Sequence, residues 1–345
     1  MLVVMLEFLG LSIVVAIAGV FLARSADQIA EITRLGRLLV GSVLLAGATS
    51  LPELTVDLSA VRQGMPDLAA GDLIGSSLMN LLILAGMDLV HRSAGRMLSR
   101  QSAAHALSAT LSIALTALAG IAILTVPHLP EFSLFGIGGW PWAIFFAYLL
   151  GLRMVFLDQR VTAHAVATAT KTVEPEIDSE QTAALSLWKP VIVFSIAGLA
   201  LFVTGPRLAL VAGQLADLSG LGKTFVGTTL VALCTSLPEL VASLAALRMG
   251  AFDLVVGNIF GSNAFNMILF LPLDAAHPGS LFADISPSHA VTCFAVILAT
   301  TVAVLGQLYH VEKRRRFVEP DALLMFCILG AALWLVYRLS TLAPM

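Results

Sequence analysis

Residues 48–54 read ATSLPEL and residues 234–240 read CTSLPEL. Each lies inside a long apolar run. Each puts a glutamate directly after a proline, at a depth where an ionised side chain costs at least about 3 kcal/mol. The proline removes one helical N–H and crowds the carbonyl four residues back, at Ala48 or Cys234. Backbone carbonyls freed in that way are tolerated in lipid only if they line a wet cavity or hold an ion. One such turn is an oddity. Two of them, 186 residues apart, set the reading of the whole chain.

The surrounding composition fits a polytopic membrane protein. The 345 residues are 58% hydrophobic and 12% charged, with a mean hydropathy of +0.94, against about a quarter charged in soluble domains. Apolar runs of about 20 residues, enough to span a bilayer, predict helices near 2–23, 37–62, 67–90, 103–125, 136–157, 189–216, 224–248, 253–275, 287–308 and 321–340. The N-terminus lacks a basic leader region and reads as a first span. Cys234, Cys293 and Cys327 all lie in apolar segments, which argues against a disulfide framework. The polar stretch 158–187 reads as a mobile cytoplasmic linker. It divides a first unit, 1–157, from a second, 188–345.

Placing 41–91 over 227–277 without a gap gives 21 identities in 51 positions. They include Gly41/Gly227, Ala46/Ala232, Thr49/Thr235, Ser50/Ser236, Pro52/Pro238, Glu53/Glu239, Gly71/Gly257, Gly75/Gly261, Ser76/Ser262 and Asn80/Asn266. Shared apolar composition does not produce that set, so it marks an internal duplication. With five spans per half, the second copy enters the membrane inverted. The expected fold is all-α, ten transmembrane helices in two inverted five-helix repeats, an architecture of secondary transporters.

Fifteen Lys and Arg fall on one side of this topology and only Arg62, Arg207, Lys223 and Arg338 on the other. The rich side is cytoplasmic by the positive-inside rule. Both termini are then extracytoplasmic, in a cell inner (plasma) membrane.

The chemistry follows from residue type. Thr49 and Ser50 stand four and three residues before Glu53, on its helix face. Ser76 and Asn80 share a face of the next helix, while Gly71 and Gly75 thin it for close approach. Doubling this set collects two carboxylates, two amides, hydroxyls and carbonyls, all hard oxygen donors. Ca2+ takes six to eight such oxygens, and Na+ suits them as well. No His or Cys dominates, which disfavours zinc and copper. No HExxH or GxSxG motif supports an intramembrane hydrolase, and a tight acidic cage suits occlusion better than a channel. Two glutamates would serve Ca2+ exchange against Na+ or against H+. No cofactor and no nucleic acid is expected. The partners are the transported ions and the bilayer, and the protein is expected to be a monomer.

The paired stretches GATSLPEL…GDLIGSSLMNLLIL and CTSLPEL…GNIFGSNAFNMILF resemble the two α-repeats of the cation/Ca2+ exchanger superfamily, in its sodium/calcium exchanger branch. The resemblance implies antiport by alternating access, with helices 1 and 6 sliding over the remaining bundle. It implies Glu53 and Glu239 as central Ca2+ ligands, backbone carbonyls of Thr49 and Thr235 beside them, and Asn80 and Asn266 flanking the centre. Ser50, Ser76, Ser236 and Ser262, with the carbonyls of Ala46 and Ala232, would build the Na+ sites. The chain departs from the family pattern at Ala48 and Cys234 (usually Gly), at Ser77 (usually Asn, as at Asn263) and at Asn266 (often Asp). The core is therefore expected to hold two carboxylates.

Three further features sit outside that pattern. Asp57 lies one turn beyond Glu53 and is replaced by Ser243 in the second copy. It is either an external cation- or proton-attracting group or an ordinary interhelical contact. Asp88/His91 recurs as Asp274/His277, as a gate, a pH-sensing pair or a helix-end cap.

Overall fold

A computed structural model describes residues 1–32, 46–90, 106–130, 132–169, 187–248, 252–308 and 320–342. The helices are α1 Leu2–Ile32, α2 Leu51–Arg62, α3 Pro66–Val90, α4 Ala106–Thr125 and α5 Gly139–Ala169 in the first half. The second half has α6 Trp188–Ser219, α7 Lys223–Thr235, α8 Leu237–Arg248, α9 Phe252–Ile268, α10 Phe270–Ala276, the short α11 Leu281–Asp284, α12 His289–Leu308 and α13 Pro320–Leu342. Several boundaries recur at the offset of the sequence repeat, as for Leu51–Arg62 and Leu237–Arg248.

Among the described residues, eight helices are long and apolar enough to cross a membrane, and the bent pair α7–α8 makes a ninth. The expected second span, 37–62, begins outside the described residues, as do Gly41, His91, Gly250 and the basic clusters at 34–37, 92–100 and 313–316. The polarity of the molecule is reversed relative to a soluble protein. Phe202, Leu150 and Trp334 are more than half exposed, whereas Glu53, Asp57, Asp72 and Glu239 are 0% exposed. Large apolar side chains facing outward over several helices suit a lipid surround, and helices satisfy their backbone internally there.

Three expectations are corrected. The helix expected at 136–157 starts at Gly139 and runs to Ala169, so the first twelve residues of the expected linker are helical. That stretch contains neither Gly nor Pro and is rich in Ala, so nothing in it stops the helix. Residues 170–186 lie outside the described ones. Just before Gly139 a two-stranded hairpin pairs Ser133 with Gly138 and Leu134 with Ile137. The span expected at 224–248 is broken, and the one expected at 253–275 is a single span, Val255–Ala276, with a local irregularity. The first bends by 44° at Ser236. The irregularity in the second lies at Leu269, three residues before Pro272, whose missing N–H removes a ladder bond.

α1 and α6 pack along one another. The pair then crosses to the opposite copies, α1 onto α8 and α6 onto α2. α3 and α9 meet at the centre, backed by α4, α12 and α13. The closest approach is between α3 and α7. A Cβ on Gly71 would come within 2.9 Å of the Thr224 carbonyl oxygen, and one on Gly75 within 2.6 Å of Thr228 Cα. The facing segment Gly227–Val231 is a π turn, a wider winding that recurs at functional positions.

Candidate cation site

The two proline turns are built alike. Ser50 (φ −89°, ψ 6°) and Ser236 (φ −81°, ψ 2°) each leave helical geometry just before the proline. The ladder holds on either side. Ser50 N–H donates to the Ala46 carbonyl at 3.0 Å, and Ser236 N–H to that of Ala232 at 3.0 Å. The Thr49 and Thr235 hydroxyls reach the same carbonyls at 3.2 and 3.4 Å. Ala46 and Ala232, expected as free ion donors, therefore already accept from the chain, and an ion would use their remaining lone pairs.

Glu53 and Glu239 start α2 and α8 and turn inward. They are close enough to repel each other, and all four carboxylate oxygens are buried without a hydrogen-bond partner. Ser76 and Asp72 adjoin Glu53, whereas Thr49 and Ser262 adjoin Glu239. Around them the halves interlock. Thr49 Oγ1 lies 3.2 Å from Ser262 Oγ, and Thr235 Oγ1 lies 3.2 Å from Ser76 Oγ. These two contacts are each other's image under the 186-residue offset.

The amides break that symmetry. Ser50 Oγ donates to Asn266 Oδ1 at 2.7 Å, while Asn80 Nδ2 donates to Asn263 Oδ1 at 2.9 Å. Asn263 Nδ2 in turn reaches the Ser77 carbonyl at 3.2 Å. Ser236 Oγ and Asn80 Oδ1 are left without partners. Every residue expected at the site (Ala46, Thr49, Ser50, Glu53, Ser76, Asn80 and their counterparts Ala232, Thr235, Ser236, Glu239, Ser262, Asn266) is buried at or near this centre. Among the described residues no three His, Cys, Asp or Glu side chains converge on a single point. A cation would thus be held by carboxylates together with hydroxyl, amide and carbonyl oxygens, which is the donor set of hard ions.

The count of two core carboxylates is corrected. Asp57 and Asp72 are both fully buried. Asp72 Oδ1 accepts from the Thr235 hydroxyl at 2.8 Å and the Ser76 hydroxyl at 3.3 Å. Sequence comparison between the halves passed over Asp72 because its counterpart is Asn258. The signal that would have found it is simpler: a carboxylate within an apolar span, one turn before Ser76. Asn263, which the sequence marks only as the asparagine that Ser77 replaces in the first copy, joins the site through Asn80.

Asp274 is occupied elsewhere. Its two oxygens accept the backbone N–H groups of Gly138 and Leu281, each at 2.7 Å, so it clamps the hairpin to the end of α10. His277 Nε2 lies 3.4 Å from Asp284 Oδ2. Cys234 and Cys293 are buried free thiols and Cys327 is an exposed one.

A bundle of membrane-crossing helices around a buried, oxygen-lined pair of glutamates defines an ion-handling membrane protein. The chain matches the family described as "Sodium/calcium exchanger protein" over residues 3–158 and 189–342, and it belongs to that family. It is 29% identical over 305 residues to the CaxA protein of Alkalimonas amylolytica, covering 87% of this chain and 88% of that one. It is 40% identical over 93 residues to the sodium/calcium exchanger MaX1 of Methanosarcina acetivorans, covering 25% of this chain and 26% of that one. The fold is shared with the sodium-calcium exchanger NCX_Mj at a TM-score of 0.57 and 20% identity, over 97% of this chain and 99% of that one. Native YfkE aligns with a TM-score of 0.60 at 15% identity, over 96% and 92%. The family is one of exchangers: this is a polytopic membrane protein for cation/Ca2+ antiport.

Proposed function

We propose that the chain exchanges Ca2+ for Na+ by alternating access, as ten transmembrane helices in two inverted five-helix repeats. The observation that carries this reading is the pair Glu53 and Glu239: four unpartnered carboxylate oxygens in a buried cage whose hydroxyls interlock across the repeats. Facing carboxylates in a low-dielectric site repel strongly, and a divalent ion between them cancels their charge. Ca2+ would be held there by Glu53 and Glu239, with Thr49 and Thr235 carbonyls beside it and Asn80 and Asn266 flanking it. The Ser50, Ser76, Ser236 and Ser262 oxygens, with the Ala46 and Ala232 carbonyls, would form the outer Na+ sites. Na+ in the outer sites would draw on the negative charge of the same two carboxylates, so binding one set expels the other. That competition couples the two fluxes.

A Ca2+/H+ exchanger is the second reading. It is favoured by the surplus of buried carboxylates, since Asp57 and Asp72 bring the total to four, and carboxylates accept protons as well as cations. The membrane is the cell inner membrane, with both termini outside. Uptake of radiolabelled Ca2+ into liposomes, with outward gradients of Na+, of H+ or of neither, separates the readings. Na+-driven uptake is expected, falling to background in Glu53→Gln and in Glu239→Gln. Uptake driven only by the proton gradient overturns Na+ coupling, and undiminished uptake in both variants overturns the site.

A further inference from the structure

Asp57 and Asp72 face one another across the α2–α3 interface. Both are 0% exposed. Neither has a Lys, Arg or His partner among the described residues. Asp72 Oδ1 takes the Thr235 and Ser76 hydroxyls, but among the described residues no N–H or O–H group reaches Asp72 Oδ2 or either oxygen of Asp57, and only a proton held between the two carboxyls would join them.

The second half shows what this position requires for folding. Its counterparts, 186 residues on, are Ser243 and Asn258, and there the cross-helix contact is neutral: Asn258 Nδ2 donates to Ser243 Oγ at 3.2 Å. One donor meets one acceptor, and the helices pack. The first half replaces this pair with two acceptors and no donor. Buried carboxylates left like that cost several kcal/mol each, so the substitution is a liability unless a proton or a cation fills the gap.

We propose that Asp57 and Asp72 form a second hard-cation site, present in the first repeat only, between the central glutamates and the α2–α3 turn. The inference rests on the exchanger reading for the identity of its ions, Na+ or Ca2+. Asp57 lies one helical turn from Glu53, near enough for their charges to interact, so an ion in either site changes the affinity of the other. Arg62, at the turn end of α2, belongs to the side poor in Lys and Arg. The site therefore stages ions on the extracytoplasmic path to the centre, with no counterpart on the cytoplasmic path.

The test is equilibrium binding of radiolabelled Ca2+ and Na+ to the purified full-length protein at a fixed, mildly alkaline pH. The variant D57S/D72N installs the second repeat's own pair, so the interface keeps a contact it is known to accommodate. It is expected to bind one fewer Na+ or Ca2+ per chain. Its remaining Ca2+, the one lost in E53Q/E239Q, is bound more weakly, because Asp72 also adjoins Glu53. Unchanged counts of both ions in folded D57S/D72N overturn the proposal, including the case where only proton release changes and the carboxyls share a proton. If the double variant does not fold, D57N and D72N are counted singly, and a full complement of ions in either overturns it. E53Q/E239Q is measured alongside. Unchanged Ca2+ binding there sinks the exchanger reading instead, whatever the aspartate variants show.

Discussion

At the scale of single residues, the two threonines of the repeated motif have unequal tasks. Each contacts the serine of the opposite repeat. Thr235 also donates to a buried carboxylate, Asp72, at 2.8 Å, whereas Thr49 adjoins Glu239 without so short a bond. Hydrogen bonds to charged groups contribute roughly 1.5–3 kcal/mol, against about 0.5–1.5 for neutral ones. Thr235→Val is therefore expected to cost about 1 kcal/mol more than Thr49→Val, read as a lower thermal midpoint in detergent. Equal midpoints would mean that Asp72 does not hold Thr235 in place. The glutamates differ from both threonines. Their oxygens lack partners within the protein, so Glu→Gln should harm ion binding far more than folding.

At the scale of elements, glycines set how closely helices approach. On α3, a Cβ at Gly75 would lie 2.6 Å from both Thr228 Cα and the Thr228 carbonyl oxygen. Backbone cannot yield as a side-chain tip can, and overpacking of this kind typically costs about 1–3 kcal/mol. Gly75→Ala should lower the thermal midpoint and the yield of folded protein. Gly10→Ala, with nothing within 4 Å of its added Cβ, should be neutral or stabilise α1 by up to about 1 kcal/mol. Melting curves of the two variants side by side check this, and equal effects would show that α3 and α7 are not held in close contact. Gly19 of α1 has a related role. A Cβ there would meet both proline rings, 3.3 Å from Pro52 Cγ and closer still to Pro238 Cγ. α1 thus rests directly on the two turns that shape the site, where its movement would be felt.

At the scale of the whole molecule, orientation decides what the asymmetry between the repeats means. Under the proposed orientation, drawn from fifteen Lys and Arg against four, the α2–α3 turn lies outside, and with it Asp57 and Asp72. Alkaline phosphatase fused after residue 345 should be active in cells, and a fluorescent protein fused there should be dark. The opposite pattern would move the aspartate pair to the cytoplasmic path.

Much of this was legible in the sequence. The proline–glutamate turns stood out because a charge within an apolar span is rare and costly, and their repetition at one offset marked the residues that the structure buries together. The hard-ion chemistry followed from residue type alone. Asp72 was not legible by that route, because a search for what the halves share discards what distinguishes them. The end of α5 is not legible from polarity, because Ala-rich backbone without Gly or Pro continues the helix past the last apolar residue.

The amino-acid order by itself determined the duplication, the two interrupted turns and the oxygen-only character of the core, since each depends on covalent spacing and side-chain type. Only the tertiary structure decided that Thr49 meets Ser262, that Thr235 meets Ser76 and Asp72, and that Asp57 confronts Asp72 where Ser243 and Asn258 share a hydrogen bond. Helical periodicity fixes which side chains share a face. Which faces meet is set by how helices far apart in the chain cross, and glycine at Gly71, Gly75 and Gly227 is what allows them to cross so closely.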